Sequence, residues 1–113
     1  MKKDEESGGM WCVVMFDLPV ETKMERRAAT QFRDLLLDQG FMMVQFSVYA
    51  RYTPTLGGNR SSVEFIKKNI PAKGKVRILN LSDHQWAQSF HSYDSQIGNP
   101  NDGPTAPGAL TLF

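Results

Sequence analysis

The chain contains a single cysteine, Cys12, so it cannot form an internal disulfide. No apolar run approaches the roughly 20 residues a membrane helix needs, and the first nine residues are charged and glycine-rich rather than an apolar signal segment. The sequence also lacks a phosphate-cradling glycine loop, a dinucleotide-binding glycine pattern and paired Cys-x-x-Cys ligands. Together these absences point away from secreted, membrane-bound and zinc-ribbon classes, toward a soluble cytoplasmic protein with no membrane partner. At 113 residues, one domain with one core is the expected organisation. The apolar share of 41% is low, and the C-terminal tail accounts for part of the deficit. Flanked by Trp11 and Val13, the Cys12 thiol reads as core rather than as a reactive group.

A net charge of +1 conceals an uneven distribution. Residues 23–77 carry eleven Lys or Arg against four acids, Glu25, Asp34, Asp38 and Glu64, while both flanking segments are net acidic. A basic middle of this kind is the footprint of a phosphate-backbone binder, although a solvated, charge-laced helix face gives a similar count.

Residues 1–9 read as a disordered lead. Met10 to Phe16 has the length and the Val and aromatic content of a strand, with Trp11, Val13 and Met15 on one face and Cys12, Val14 and Phe16 on the other. Thr22-Lys23-Met24-Glu25 matches a capping box, and Met24, Ala28, Phe32, Leu35 and Leu36 recur at helical spacing until Gly40 stops the helix. Phe41 to Phe46 and Ser47 to Tyr52 read as two strands joined by a tight reversal near Gln45 to Ser47, without the Asn-Gly or Asp-Gly usual at such turns. After a Pro- and Gly-bearing loop, Ser61-Ser62-Val63-Glu64 suggests a second capping box, with Val63, Ile66 and Ile70 as the apolar stripe of a helix ending at Pro71. Lys75 to Leu81 alternates as a strand, and Asp83 is expected to cap a short segment from His84 to Phe90.

The order strand, helix, strand, strand, helix, strand predicts an α+β, ferredoxin-like βαββαβ domain over residues 10–91, an antiparallel sheet with both helices on one face. The other sheet face is then left bare and apolar, which predicts a homodimer packed through it. Residues 92–113 are expected as a flexible Gly/Pro-rich tail, with Ala109 to Phe113 apolar enough to dock on a partner.

The chemistry centres on Asp17, at the junction of the first strand and its loop, followed by Lys23, Arg26 and Arg27. A carboxylate in that setting suits a divalent metal acting on a phosphodiester. One Asp seldom holds Mg²⁺ unaided, so two copies of Asp17 brought together by a twofold axis would be required. The alternative is a turn or capping residue ahead of Pro19. His84 and His91 have no acid or thiol partner at ligand spacing and read as surface residues. Ser47 and Tyr49 read as strand and core residues rather than as a nucleophile and an acid. Phe46 and Tyr49 sit on a sheet as the base-stacking aromatics of an RNA-recognition motif do, but the basic-aromatic octapeptide is absent.

The segment FDLPVETKMERRAATQFRDLLLDQGFMMVQFSVYAR, residues 16–51, resembles the smaller of the two universal CRISPR adaptation proteins, the Cas-two family, in the version found beside type II effectors. The resemblance rests on Phe16-Asp17-Leu18-Pro19, the Thr22 to Arg27 helix start, Gly40-Phe41 and Gln45-Phe46-Ser47-Val48-Tyr49. It continues less sharply through Val76-Arg77-Ile78-Leu79 to Asp83 and Gln85, covering about residues 10–90. The resemblance implies a homodimer whose two Asp17 carboxylates flank a Mg²⁺ site, with Arg26 or Arg27 near the scissile phosphate. It further implies metal-dependent cleavage of single-stranded RNA or double-stranded DNA, or a scaffold role in spacer acquisition, holding a double-stranded DNA prespacer between integrase subunits. The nucleic acid would then be gripped by Lys23, Arg26, Arg27, Arg33, Arg51, Arg60, Lys67, Lys68 and Arg77. A stand-alone, toxin-type endoribonuclease is the alternative. A small-molecule regulatory domain of the same fold is a third reading, disfavoured by the basic middle.

Overall fold

The computed structural model describes residues 8–89, 91–93, 96–98 and 109–111. Most of the disordered lead expected over residues 1–9, and much of the tail expected over 92–113, lie outside the described residues. The core runs β1 (Met10–Asp17), α1 (Lys23–Asp38), β2 (Met42–Gln45), β3 (Val48–Thr53), α2 (Arg60–Lys67) and β4 (Lys75–Ser82). The strands form one sheet in the order β2-β3-β1-β4, every pairing antiparallel. This is the βαββαβ ferredoxin-like arrangement.

Alternation along β1 separates the two faces. Cys12 and Val14 pack with Phe32 and Leu36 of α1, Ile66 of α2, and Phe41 and Tyr49, while Phe16, Val76 and Ile78 flank this cluster. Both helices therefore lie on one face, as the alternation predicts. Phe16 stands edge-on to Phe32 at 5.2 Å and stacks on Tyr49 at 5.7 Å. Burial pushes the Cys12 thiol up to about 11, with the Arg51 guanidinium pulling the other way, so the thiol stays protonated and inert at neutral pH.

The second face is not bare. A short helix α3 (Asp83–Ala87) follows β4 directly and folds back over it. Its Trp86 joins Val13, Val44 and Ala50 in a buried cluster flanked by Trp11, Met15, Val48 and Leu81. The indoles of Trp11 and Trp86 stack at 4.5 Å and 16°. Asp83 secures the arrangement: its Oδ1 accepts from Trp11 Nε1 at 3.0 Å, and its backbone N–H donates to the Gly9 carbonyl at 3.0 Å. Because that carboxylate is engaged with Trp11, the helix cap is Ser82, in a capping box with Gln85, rather than Asp83. Beyond α3, the short strands β5 (His91–Tyr93), β6 (Gln96–Gly98) and β7 (Ala109–Thr111) form a second sheet in the order β6-β5-β7, with β7 close to β2.

Three further expectations are corrected. Met24 is 82% exposed, and Ala29 takes the buried place on α1 that the periodicity assigned near it. Helix α2 starts at Arg60 with Asn59 in the cap position, not at a Ser61 capping box, and Asn59 makes no side-chain cap bond because its amide is used elsewhere. The helix ends at Lys67, so Ile70 lies beyond it and is exposed.

Candidate functional site

Asp17 is the last residue of β1, and strand alternation places it on the face of Trp11, Val13 and Met15, away from α1 and α2. It lies in register with Lys75, the first residue of β4. Gly74, just before it, has φ +102°, and a Cβ there would come within 2.7 Å of both the Asp17 carbonyl oxygen and Leu18 Cδ2. Only glycine lets the chain entering β4 pass so close to Asp17. On the other side, the Phe16 N–H donates to the Ser47 carbonyl at 3.0 Å, so the β2–β3 turn abuts the same strand end. That turn closes without glycine, because Ser47 itself takes the left-handed conformation at φ +62°. Phe46 beside it is 90% exposed.

The Asp17 carboxylate is exposed and, among the described residues, makes no hydrogen bond or ion pair. Nor do the described residues of one chain contain any group of three His, Cys, Asp or Glu placed to hold a metal ion. One free carboxylate fits a share of a Mg²⁺ site, which favours several oxygen ligands and keeps water. A second copy of Asp17 would be needed to make a pair.

The start of α1 is built by the capping box read from the sequence. Glu25 N–H donates to Thr22 Oγ1 at 3.1 Å, and Glu25 Oε1 accepts from the Thr22 and Glu21 N–H groups, each at 3.0 Å. The Thr22 backbone N–H above all, then that of Glu21, holds the Glu25 carboxyl below its ordinary value. Arg26 is part of the same construction, donating from Nη1 to the carbonyls of Val20 at 3.1 Å and Glu21 at 3.0 Å. It thereby ties down the loop leaving Asp17. Lys23 and Arg27 are exposed. Lys73 reaches Glu25 at 3.9 Å. An open groove of about 530 Å³ lies between these first turns and the 71–73 segment, lined by Leu18, Pro19, Met24, Ala28, Pro71 and Ala72.

Of the remaining basic candidates, Arg77 lies on the Asp17 face and the others do not converge on Asp17. Arg77 is exposed and lies one step along β4 from Lys75 on the same face, opposite Met15. Arg33 is exposed on α1, within 3.5 Å of Thr30 Oγ1. Arg60, Lys67 and Lys68 are exposed on or beside α2, with Lys67 in a surface contact to Glu64 at 3.7 Å. Helices α1 and α2 pack on the face opposite to Asp17. Arg51 is half-buried and donates from Nη1 to Asn59 Oδ1 at 2.7 Å and to the Gly58 carbonyl at 3.2 Å. Asn59 in turn donates to the Met10 carbonyl at 3.4 Å. Arg51 thus locks the β3–α2 loop onto β1.

Among the other candidates, Tyr49 is buried, and that burial raises its hydroxyl above the ordinary value. Exposed His84 has Gln88 at 3.2 Å, and the side chain of His91 lies outside the described residues. Sequence reasoning missed Gly74 and Lys75, and it weighed Phe46 as a strand residue whereas the structure puts it in the β2–β3 turn. The available signals were a glycine isolated between two lysines, and an aromatic residue placed in a turn.

A family model described as CRISPR associated protein Cas2 matches residues 10–89. The chain is 49% identical over 106 residues to the CRISPR-associated endoribonuclease Cas2 of Paracidovorax avenae, covering 92% of this chain and 94% of that protein. It is 39% identical over 105 residues to the protein of the same name from Parvibaculum lavamentivorans, covering 92% and 100%. With the Streptococcus mutans protein of that name, identity is 36% over 93 residues, covering 80% and 85%.

Proposed function

This chain belongs to the CRISPR associated protein Cas2 family, and from that premise we propose that it works in pairs on nucleic acid, with Asp17 of each copy at a shared phosphodiester site. The observation that carries this reading is the unpartnered, exposed carboxylate of Asp17 on the sheet face opposite α1 and α2. Trp86 covers the Trp11 end of that face, whereas at the other end Asp17, Lys75 and Arg77 are exposed and Met15 and Val48 only half-buried. A second copy docking on this uncovered part would bring one Asp17 toward the other.

Two such carboxylates would hold Mg²⁺, whose chemistry there would be to offset charge on a phosphoryl oxygen and to make a bound water more acidic. The chain's own contribution is positional. Lys75 and Arg77 would draw a phosphate backbone to the carboxylate face, while Lys23, Arg27 and Arg33 would extend the cationic surface along α1. Arg26 would act indirectly, by holding the loop that leaves Asp17. The curated relatives carry the name endoribonuclease, which supports cleavage of RNA as an activity of this chain. The wider role is a scaffold for a double-stranded DNA prespacer and integrase subunits in spacer acquisition, supported by exposed lysines and arginines on both helices, a sequence-independent grip on phosphates.

Asp17→Asn tests the reading. The variant should keep the melting temperature and nucleic-acid affinity of the wild type but lose Mg²⁺-dependent cleavage of single-stranded RNA. Unchanged cleavage by the purified variant would place the activity elsewhere. Sedimentation equilibrium showing only monomer at working concentrations would remove the shared site.

A further inference from the structure

We propose that Phe46 is a stacking platform for an unpaired nucleobase, presented beside Asp17 by the β2–β3 turn. The inference rests on reading this end of the sheet as a phosphodiester site, and it adds the side chain that would hold a base of the strand there. At 90% exposure, Phe46 leaves more of its surface in water than any other large apolar side chain among the described residues. Its place is nevertheless fixed. Gln45 pairs with Val48 across the turn, and Ser47 turns the chain at φ +62° and accepts the N–H of Phe16, the residue before Asp17. The ring therefore stands on a braced turn rather than on a loose loop.

Strand spacing sets the distances from that turn. With neighbouring strands roughly 4.8 Å apart, the backbone of Ser47 lies about 5 Å from β1 and about 10 Å from β4. A polynucleotide crossing the strand ends would thus meet an aromatic ring, then the Asp17 carboxylate, then Lys75 and Arg77 within the span of a nucleotide or two. The order of groups suits a base on the ring and a neighbouring phosphate on Lys75 and Arg77, past Asp17. Half-buried Met15 and Val48 lie at this end together with the Ser47 hydroxyl, the Asp17 carboxylate and the Lys75 ammonium, and the charged groups favour a nucleotide over a purely apolar protein segment. In a duplex both faces of each internal base are already stacked, so a ring of this kind can engage only a single strand or a frayed end. Every base offers a π-face, so the contact tolerates any sequence.

The test measures anisotropy of a short fluorescein-labelled oligoadenylate RNA and of a blunt-ended DNA duplex with the full chain, in chelator so that no cleavage occurs. Phe46→Ala should weaken RNA binding by roughly five- to a hundredfold while changing duplex binding by less than about twofold. Phe46→Leu, which keeps apolar bulk without a π-face, should resemble Ala. Phe46→Trp should retain affinity, and its indole emission should be quenched by the RNA against the background of Trp11 and Trp86. RNA affinity unchanged in Phe46→Ala, or preserved in Phe46→Leu, overturns the inference. So does a change in self-association in place of a change in RNA affinity, which would assign the ring to a protein interface. Wild-type protein that binds neither probe would defeat the phosphodiester reading as well, whereas wild-type binding with an indifferent Phe46→Ala defeats this inference alone.

Discussion

Replacing Gly74 by alanine should disturb both the stability of the chain and the place of its candidate carboxylate. The added methyl would stand 2.7 Å from the Asp17 carbonyl oxygen, 2.7 Å from Leu18 Cδ2 and 3.1 Å from Leu18 Cα, on a residue whose φ is +102°. Leu18 Cδ2 can swing away, but the carbonyl belongs to the paired end of β1 and cannot move without loosening the Asp17–Lys75 register. The backbone conformation alone costs an L-residue about 1–3 kcal/mol, and the backbone contact adds to that. A total near 2–4 kcal/mol is therefore expected, equivalent to a fall in melting temperature of roughly 10–25 °C for a domain of this size. Urea denaturation followed by far-UV circular dichroism measures it. Gly57→Ala is the control, since a Cβ at Gly57 meets nothing within 4 Å; its midpoint should hold or rise slightly. At temperatures where Gly74→Ala remains folded, RNA cleavage should fall further than the folded fraction, because Asp17 is displaced. Should Gly74→Ala unfold within about 0.5 kcal/mol of wild type, the range expected for an inconsequential surface change, the argument that glycine is required beside Asp17 fails.

Other substitutions separate binding groups from structural ones. Arg27→Ala should lower the dependence of log affinity on log salt by about one unit for duplex DNA, whereas Arg51→Ala should leave that slope unchanged and cost roughly 1–3 kcal/mol of stability through the freed Asn59 and Gly58 acceptors. Trp86→Ala should cost about 3–5 kcal/mol in a denaturant titration, since it empties the centre of the second buried cluster. Folding lowers the Glu25 pKa, so the unfolded chain takes up the proton first; the stability this carboxylate gives is present above its ordinary value of 4.5 and is lost as pH falls through the lower folded value. Glu25→Gln should accordingly flatten the acid limb of a stability-versus-pH profile measured by thermal melting, and an unaltered limb would exclude the Glu25 carboxylate as its source.

Local chemistry made much of this fold legible. Thr22 and Glu25 announced the start of α1, since few patterns satisfy two helix-end N–H groups reciprocally. Gly40 marked its end: at φ +88° it closes the turn in which the N–H of Phe41 reaches the Leu36 carbonyl and that of Gly40 reaches Leu37. The two faces of β1 followed from alternation alone. What escaped was decided by distant partners. Asn59, rather than a serine, came to precede α2 because Arg51 and Met10 engage its amide. Asp83 lost its capping role to Ser82 because an indole seventy-two residues earlier claims its carboxylate. The bare sheet face was expected because nothing in the spacing of Trp86 says that α3 folds back across β1. At the candidate site, Asp17 was legible as a carboxylate ending a strand, but Lys75 and Gly74 became its neighbours only through the β1–β4 register.

The tie between Gly9 and Asp83 brings the two ends of the core domain together at one pole of the sheet. Asp17 lies at the other pole, seven strand residues or about 23 Å away. A tether, dye or fusion partner attached through either end of the core would therefore sit on the far side from the acidic strand end. Surface immobilisation by either route should leave that end open to solution, and a short linker between the two ends could close the core into a ring without crossing the sheet.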